Sequence, residues 1–515
     1  MKKIVSSIIA AVMLISLPIL AGCSEAPNGG SGLEAPGYNA ENKADFEDGQ
    51  AMPTEGEYGK LIENEFISTE KEPISTFSAD VDTASYSYFR KMVNQGYDLE
   101  NLIRYAGSSF RTEEMINYFK YDYALPEDGD IFGVTAKAAP CPWNSNAVLL
   151  ALGLRTEQLK TATSNNLVFL IDVSGSMMSD DKLPLLKKAF SNLTDQLGDD
   201  DMISIVTYSG KEEVVLDGCE GTKKAQILSA VNSLKASGST NGEAGLRMAY
   251  DIAKKHFITG GNNRIIMASD GDLNVGISSA EGLKNFVSEK KNEGVYISVL
   301  GFGTGNYRDS NMEAIADNGN GIYYYIDGER EAEKVFGTDL LGTLYTVAED
   351  VKLQLTFDKD YIDSYRLVGY ENRILNKEDF ENDKKDAGEI GAGHMVTVCY
   401  ELILTEKAKT ENDGDWMKLA MRYKAPGTTE SILREYSIGK SVYTETPDED
   451  FRFICAVAET SMILHESKYV DELGLDDVLT KLSALDLSKD ADKSEFADLI
   501  RELVSREQKN RAATY

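Results

Sequence analysis

The sequence has few of the residues on which several classes of protein depend. It contains five cysteines and three histidines among 515 residues. After Cys23 the cysteines, Cys141, Cys219, Cys399 and Cys455, are widely spaced and form no CxxC pair. This spacing excludes a dense disulfide scaffold and leaves any single bridge unassigned. The three histidines are too scattered along the chain to indicate a zinc site.

Basic residues are also scarce: 53 stand against 85 acidic ones, for a formal net charge of -32. Nucleic acid is excluded as a partner, because binding it requires a basic footprint on the protein. The acidic excess is typical of a solvated surface that favours solubility and attracts cations or basic partners.

Only one long apolar run occurs, Ile4 to Leu20, after two lysines, and it has the features of a secretory signal. The sequence LAGC at 20–23 resembles a bacterial lipobox, which implies cleavage before Cys23 and lipid attachment to it. An uncleaved anchor and a plain signal peptide are the alternatives. We therefore expect residues 1–22 to be a signal peptide. We expect the protein at a cell membrane or outer membrane, lipid-anchored and facing outside the cytoplasm.

Residues 23–60 are rich in Gly, Pro, Ala, Glu and Asn and poor in large apolar groups, which predicts a flexible tether. Between 161 and 348, short apolar runs alternate with helical patterns. The strand candidates are Leu167–Ile171, Met202–Thr207, Glu213–Leu216, Arg264–Ser269, Val295–Gly301 and Ile322–Tyr325. The helical spacing of Leu246, Ala249, Tyr250, Ala253 and Phe257 indicates one helix face. This alternation predicts an α/β domain with a Rossmann-like, mostly parallel sheet.

The flanks differ from this block. Residues 61–160 form an α+β flanking region, residues 349–445 are β-rich, and residues 446–515 form a helical C-terminal segment. We expect strands from both flanks to form a β-sandwich-like region into which the α/β block is inserted. In MVTVCYELIL, at 395–404, alternating apolar residues predict a half-buried strand. Near the C-terminus, Ser494 is a candidate helix N-cap.

Polar side chains follow two of the predicted strands. Asp172, Ser174 and Ser176 lie in FLIDVSGSMMSDDK, directly after the first strand, and Asp270 follows the strand Arg264–Ser269. Thr240, in SGSTNGEAG, precedes a helix. Ligands of parallel sheets sit at the carboxyl ends of the strands. Carboxylates and hydroxyls are the oxygen ligands that Mg²⁺ prefers. Asp180 and Asp272 lie nearby in sequence and are interpreted as solvated surface.

This set of five resembles the metal-ion-dependent adhesion site of von Willebrand factor A domains. The family pattern is Asp-x-Ser-x-Ser, then a distant Thr, then an Asp after a later strand, and every position is filled here. Ser269 stands where the family commonly has Thr. The resemblance implies one ion, Mg²⁺ (or Mn²⁺ or Ca²⁺), touched directly by Ser174, Ser176 and Thr240. Asp172 and Asp270 would bind it directly or through water. A Glu or Asp of a partner protein would fill an open position.

The flanking stretches STFSADVDTASYSYFR, EEMINYF, APCPWN, RLVGYENR and DKKDAGEIGAGH resemble a group of bacterial von Willebrand factor A lipoproteins. The resemblance implies a lipid-anchored binding protein, not an enzyme, that acts in adhesion or another protein–protein interaction. The alternative is a structural subunit of an envelope assembly with a degenerate or non-essential metal site.

Three enzyme or nucleotide readings have weaker support. A hydrolase with Ser174 or Ser176 as its nucleophile would require a GxSxG elbow, which the sequence lacks here. A metal-dependent hydrolase stays open as a third alternative. The pair Asp80 and Asp82 superficially resembles a haloacid-dehalogenase phosphatase motif, but Ala84 stands at the threonine position. The glycines of GFGTG at 301–305 follow a strand without a complete P-loop or GxGxxG, and they predict a tight turn.

Overall fold

The computed structural model describes the chain from residue 61 to residue 513, apart from residues 80, 128, 159–163, 240–241, 272–279, 304–308, 340–344, 412 and 471–472. The strands are β1 Ile67–Ser68, β2 Ile74–Ser78, β3 Phe132–Pro140, β4 Val148–Thr156, β5 Asn165–Asp172, β6 Met202–Tyr208, β7 Glu212–Glu220, β8 Asn262–Ser269, β9 Tyr296–Phe302, β10 Tyr323–Ile326, β11 Thr346–Phe357, β12 Ile362–Val368, β13 Gly388–Gly391, β14 Met395–Leu404, β15 Asp415–Lys424 and β16 Ser431–Gly439. The α-helices are α1 Ala84–Asn94, α2 Leu99–Ala106, α3 Thr112–Asn117, α4 Leu183–Gln196, α5 Lys224–Ser233, α6 Gly242–Lys255, α7 Ala280–Asn292, α8 Asp309–Asn318, α9 Glu329–Lys334, α10 Glu406–Thr410, α11 Glu449–Leu464, α12 Leu475–Ser483 and α13 Ala491–Ala513. The predicted tether and Cys23 lie outside the described residues.

The central sheet has the strand order β10-β9-β8-β5-β6-β7. Its first five strands in this order run parallel, and β7 pairs antiparallel with β6 at the edge. The prediction of an α/β domain with a mostly parallel sheet is therefore confirmed. The edge strand predicted at Glu213–Leu216 exists but is longer than expected, Glu212–Glu220.

Strand β5 is buried along its whole length because its alternate side chains face two helical layers. The ring of Phe169 packs on Phe190 of α4, with centroids 4.5 Å apart. On the opposite face, Val168 and Leu170 lie in a second core with Leu246 of α6. Burial on both faces explains why this strand reads as a continuous apolar run.

Two further sheets form a sandwich from strands on both sides of the central block. One has the order β1-β12-β14-β4-β3, and the other has β13-β11-β15-β16 with β2 also paired to β11. Aromatic rings join the two sheets: Phe357 of β11 stacks on Tyr365 of β12, with centroids 4.2 Å apart. The sandwich-like region is therefore confirmed, and it combines strands that precede and follow the central sheet.

Strand β14 is not half-buried as its alternating pattern predicts. Val396, Val398 and Tyr400 face the core of the sandwich, but Cys399 and Glu401 on the other face are buried as well. Helix α3 covers this second face. The half-buried prediction is wrong because the periodicity of one strand carries no information about a helix that packs from elsewhere in the chain.

Two local predictions about helices are also wrong. Helix α13 begins before Ser494, and its cap is Asp490, whose Oδ1 accepts hydrogen bonds from the amides of Asp492 and Lys493, both at 3.0 Å. Helix α6 ends at Lys255, so Phe257 lies beyond the predicted helix face and is partly exposed. Helical periodicity continues past the residue where the backbone hydrogen bonds stop.

None of the helices in the described residues has the length and apolar character needed to span a bilayer. Each of the four cysteines there is a buried free thiol.

Candidate functional site

The carboxylates of Asp172 and Asp270 lie at the same edge of the central sheet. Asp172 is the last residue of β5, and Asp270 directly follows β8, which pairs with β5 in parallel through Ile171 and Ala268. Both aspartates are buried, with exposures of 0% and 1%. Burial raises the pKa of Asp172 to about 6; the charge of Asp270 adds to the rise, and hydrogen bonds from Ser174 oppose it.

The two serines lie in a tight turn after β5. The amide of Ser174 donates to Asp172 Oδ1 at 2.8 Å, and the hydroxyls of Ser174 and Ser176 lie 3.0 Å apart. A short 3₁₀ turn, Gly175–Met178, carries Ser176. This backbone therefore gathers two hydroxyls beside the first carboxylate, as the Asp-x-Ser-x-Ser spacing predicts.

Thr240 and Asp272 lie outside the described residues, so the structure gives no position for either. The chain just before Thr240 does contact the turn. The amide of Gly175 donates to Gly238 O at 3.1 Å, and the amide of Ser237 donates to Val173 O at 2.7 Å. Asp180 is exposed, in agreement with its interpretation as solvated surface.

Lys182 is a site residue that the sequence reasoning missed. Its Nζ donates to Asp270 Oδ2 and to the carbonyl oxygen of Ser176, both at 3.0 Å. Gly303, with φ of +76°, leaves room for this side chain: a Cβ there would lie 2.1 Å from Lys182 Cε. In sequence Lys182 stands at the start of a helix, and its spacing gives no signal of a contact with Asp270.

The available oxygen atoms fit a hard divalent cation. Asp270 Oδ1 is buried and has no hydrogen-bond partner among the described residues. Asp172 Oδ2 accepts one long bond, 3.4 Å, from the hydroxyl of Ser269. An unpartnered buried carboxylate oxygen is costly unless an ion or a water satisfies it. Within the described residues, no group of three or more His, Cys, Asp or Glu side chains is arranged to hold a metal, so this site would combine two carboxylates with hydroxyl oxygens.

The histidines are engaged away from the serine turn. His256 Nε2 lies 2.7 Å from Asp217 Oδ1, and His465 Nε2 lies 3.4 Å from Glu63 Oε1. Burial lowers the pKa of His394 to about 3. These positions give no support to a serine nucleophile with a histidine base.

The two remaining motifs occupy structural positions. Asp82 accepts hydrogen bonds from the amide of Tyr323 at 2.9 Å and from Arg373 Nη2 at 3.3 Å, while Asp80 lies outside the described residues. Gly301 lies within β9, close to Tyr323, and not in the predicted tight turn. Gly303 directly follows the strand with a positive φ of +76°, and Gly305 lies outside the described residues.

Three family models match the chain. They are "von Willebrand factor" over residues 52–151, "von Willebrand factor type A domain" over residues 166–338, and "Uncharacterized protein YfbK, C-terminal" over residues 342–505. The second of these covers the central sheet and the candidate site.

The chain is also similar to several known proteins and to a solved structure. Uncharacterized protein YfbK of Escherichia coli (strain K12) is 39% identical over 445 residues, which cover 82% of this chain and 76% of that protein. Inter-alpha-trypsin inhibitor heavy chain H3 of Homo sapiens is 27% identical over 271 residues, 49% of this chain and 30% of that protein. A solved von Willebrand factor type A protein from Catenulispora acidiphila is 18% identical with a TM-score of 0.43, covering 76% of this chain and 89% of that one. The chain therefore belongs to the family of YfbK-like proteins that contain a von Willebrand factor type A domain.

Proposed function

We propose that this protein binds one divalent cation, Mg²⁺ or in its place Mn²⁺ or Ca²⁺, and docks a partner protein through it. The ligands are Asp172, Ser174, Ser176, Thr240 and Asp270. The observation that carries the proposal is the buried, unpartnered Asp270 Oδ1 at the same sheet edge as Asp172. The bound ion supplies an open coordination position that a Glu or Asp carboxylate of the partner fills.

The protein's own residues prepare this site in advance. The Ser174 amide fixes the orientation of the Asp172 carboxylate, and the turn holds the hydroxyls of Ser174 and Ser176 within 3.0 Å of each other. Ligands that are already ordered lose less conformational entropy when the ion binds, which favours binding. In the described part of the chain, no histidine base lies beside the hydroxyls of Ser174 and Ser176, because His256 and His465 are paired with Asp217 and Glu63. We therefore propose that the site captures a partner and does not catalyse a reaction.

Isothermal titration with Mg²⁺ and with Mn²⁺ tests the metal site. We expect binding to the wild type and to Asp180→Asn, a matched control because Asp180 is exposed in the same loop. We expect at least a tenfold loss with Asp172→Asn, which removes the charge and keeps the side-chain size. Thermal unfolding gives a second readout, since a saturating ligand at about 100 times its Kd adds ~2.7 kcal/mol of stability. Absence of heat and of stabilisation in the wild type would refute the metal site.

Cross-linking in cells, with and without a chelator, tests docking and identifies the partner. Capture that is lost with chelator and with Asp172→Asn supports metal-dependent docking. An external glycoprotein or matrix component among the captured proteins indicates adhesion, and an endogenous envelope protein indicates an assembly subunit. Capture that survives both treatments contradicts docking through the metal.

We also propose that the protein is lipid-anchored through Cys23 and faces outside the cytoplasm. The support is the signal-like run followed by LAGC at 20–23. Labelling with radioactive palmitate, followed by membrane fractionation, tests the anchor. Cys23→Ser should abolish labelling, while Ser24→Ala should leave it unchanged. Equal labelling of wild type and Cys23→Ser would exclude Cys23 as the lipidated residue.

A further inference from the structure

A lysine ammonium lies inside the candidate metal site. Lys182 Nζ is 3.0 Å from Asp270 Oδ2 and 3.0 Å from the carbonyl oxygen of Ser176. Its side chain is 12% exposed, and that of Asp270 is 0% exposed. The ion pair is therefore largely shielded from solvent, where charges interact more strongly than at an open surface.

The two oxygens of Asp270 have different roles. Oδ2 accepts from Lys182, while Oδ1 is buried and free of any partner within the described residues. A carboxylate can accept the lysine through one oxygen and serve a cation through the other. The ammonium and a metal ion therefore share this carboxylate, and each reduces the negative charge available to the other.

The position of Lys182 is held by its surroundings. Gly303 lies against its side chain so closely that a Cβ would be 2.1 Å from Lys182 Cε. The carbonyl oxygen of Gly303 in turn accepts a hydrogen bond from the hydroxyl of Tyr325 at 2.7 Å. On the other side, the neighbouring Asp181 pairs with Lys91 of α1 at 2.8 Å. The close packing against Gly303 and the two hydrogen bonds of Nζ keep the Lys182 side chain at the site.

The lysine changes the charge of the site. The two aspartates and Lys182 together carry a net charge of about minus one when all are ionised. A divalent cation brings the site to about plus one, and a carboxylate then neutralises it. Without the lysine, the same cation gives a site near zero, which a carboxylate makes negative. Lys182 thus lowers the attraction for the metal and raises the attraction of the loaded site for an acidic partner.

We infer that Lys182 is a specificity-determining residue: it weakens metal binding so that the metal-loaded site selects an anionic ligand. This inference rests on the proposed metal site and adds to it a residue that is not itself a metal ligand. It identifies the chemical class of the partner group as a carboxylate, and it attributes part of that preference to the protein instead of to the metal.

The test compares Lys182→Met with Lys188→Met, a control in α4, the helix that follows Lys182; the Lys188 side chain is 66% exposed and pairs with Glu329. Mn²⁺ affinity is measured by electron paramagnetic resonance on the full chain, in chloride and in acetate at equal ionic strength. Acetate is the carboxylate probe, and thermal unfolding checks that each variant is folded. We expect Lys182→Met to bind Mn²⁺ roughly tenfold more tightly in chloride, a change of ~1.4 kcal/mol. We expect acetate to tighten Mn²⁺ binding in the wild type and in Lys188→Met, but much less in Lys182→Met.

The possible results separate this inference from the proposed function. If the wild type does not bind Mn²⁺, the proposed metal site is wrong and the inference is overturned with it. If the wild type binds but Lys182→Met behaves as Lys188→Met does in both buffers, only the inference is overturned. Weaker Mn²⁺ binding by Lys182→Met also overturns it, because the lysine would then support the metal.

Discussion

Replacing Arg90 with methionine is expected to lower the free energy of unfolding by about 3–5 kcal/mol. Arg90, in α1, is buried and forms a two-point ion pair with Asp327, with nitrogen–oxygen distances of 2.6 Å. It also contacts Glu331 of α9 at 2.7 Å and Glu495 of α13 at 2.9 Å. One guanidinium thus joins three parts of the chain. These are α1, which precedes the central sheet, the segment that follows β10, and the C-terminal helix α13.

The magnitude follows from which carboxylates lose their partner. Glu331 keeps a hydrogen bond from the hydroxyl of Tyr118 at 2.7 Å, and the side chain of Glu495 is 27% exposed. Asp327, with 8% of its side chain exposed, loses its principal cation. Removing one member of a buried pair leaves an uncompensated buried charge, whose cost is about 3–5 kcal/mol. We therefore count one such charge and not three.

Urea unfolding followed by circular dichroism measures this loss, with Arg501→Met as the control. Arg501 lies on α13, pairs with Asp498 and has 58% of its side chain exposed, so its removal should cost under about 1 kcal/mol. A loss of less than about 1 kcal/mol for Arg90→Met, at an unchanged dependence on urea, would refute the view that this buried network joins the three segments.

Three further predictions concern caps, pH and thiols. Asp490→Ala should cost about 1 kcal/mol in urea unfolding because it removes the cap of α13, and Ser494→Ala should cost under about 0.5 kcal/mol. Burial of Glu63 favours its neutral form and raises its pKa, but the proximity of His465 and a hydrogen bond from Ser467 hold that pKa below its ordinary 4.5. The resulting stabilisation is present above pH 4.5 and disappears as the pH falls further, so melting temperatures of wild type and Glu63→Gln should differ at pH 7 and converge in acid. The four described cysteines should react with a thiol reagent only after unfolding, since burial raises the pKa of each.

Each of these has an outcome that contradicts it. Equal losses for Asp490→Ala and Ser494→Ala would show that the cap contributes nothing. A difference between wild type and Glu63→Gln that grows in acid would reverse the sign of the pKa argument. Rapid labelling of a native thiol would mean that the local structure around it opens readily.

Much of the central sheet follows from local pattern. The strand Leu167–Ile171 and its neighbours were predicted within a few residues of their observed ends, because continuous apolar runs between helical patterns are typical of buried parallel strands. The edge to which Asp172 and Asp270 belong was likewise predictable, since parallel strands end at the same side of a sheet. The β14 strand shows the limit: its alternation gave no sign that helix α3 buries the second face.

The sequence by itself determined the class of fold and the placement of the candidate ligands Asp172 and Asp270 at one edge of the sheet. Both depend on short-range regularities: the period of a strand or helix, and the order of residues after a strand end. Only the tertiary structure decided that Lys182 reaches Asp270, 88 residues away, and that Arg90 reaches Asp327, 237 residues away. Contacts at such separations depend on how whole elements pack, and single charged residues in helices give no periodic signal of their partners. The charge of the site, and with it the proposed preference for a carboxylate, is therefore a property of the folded chain.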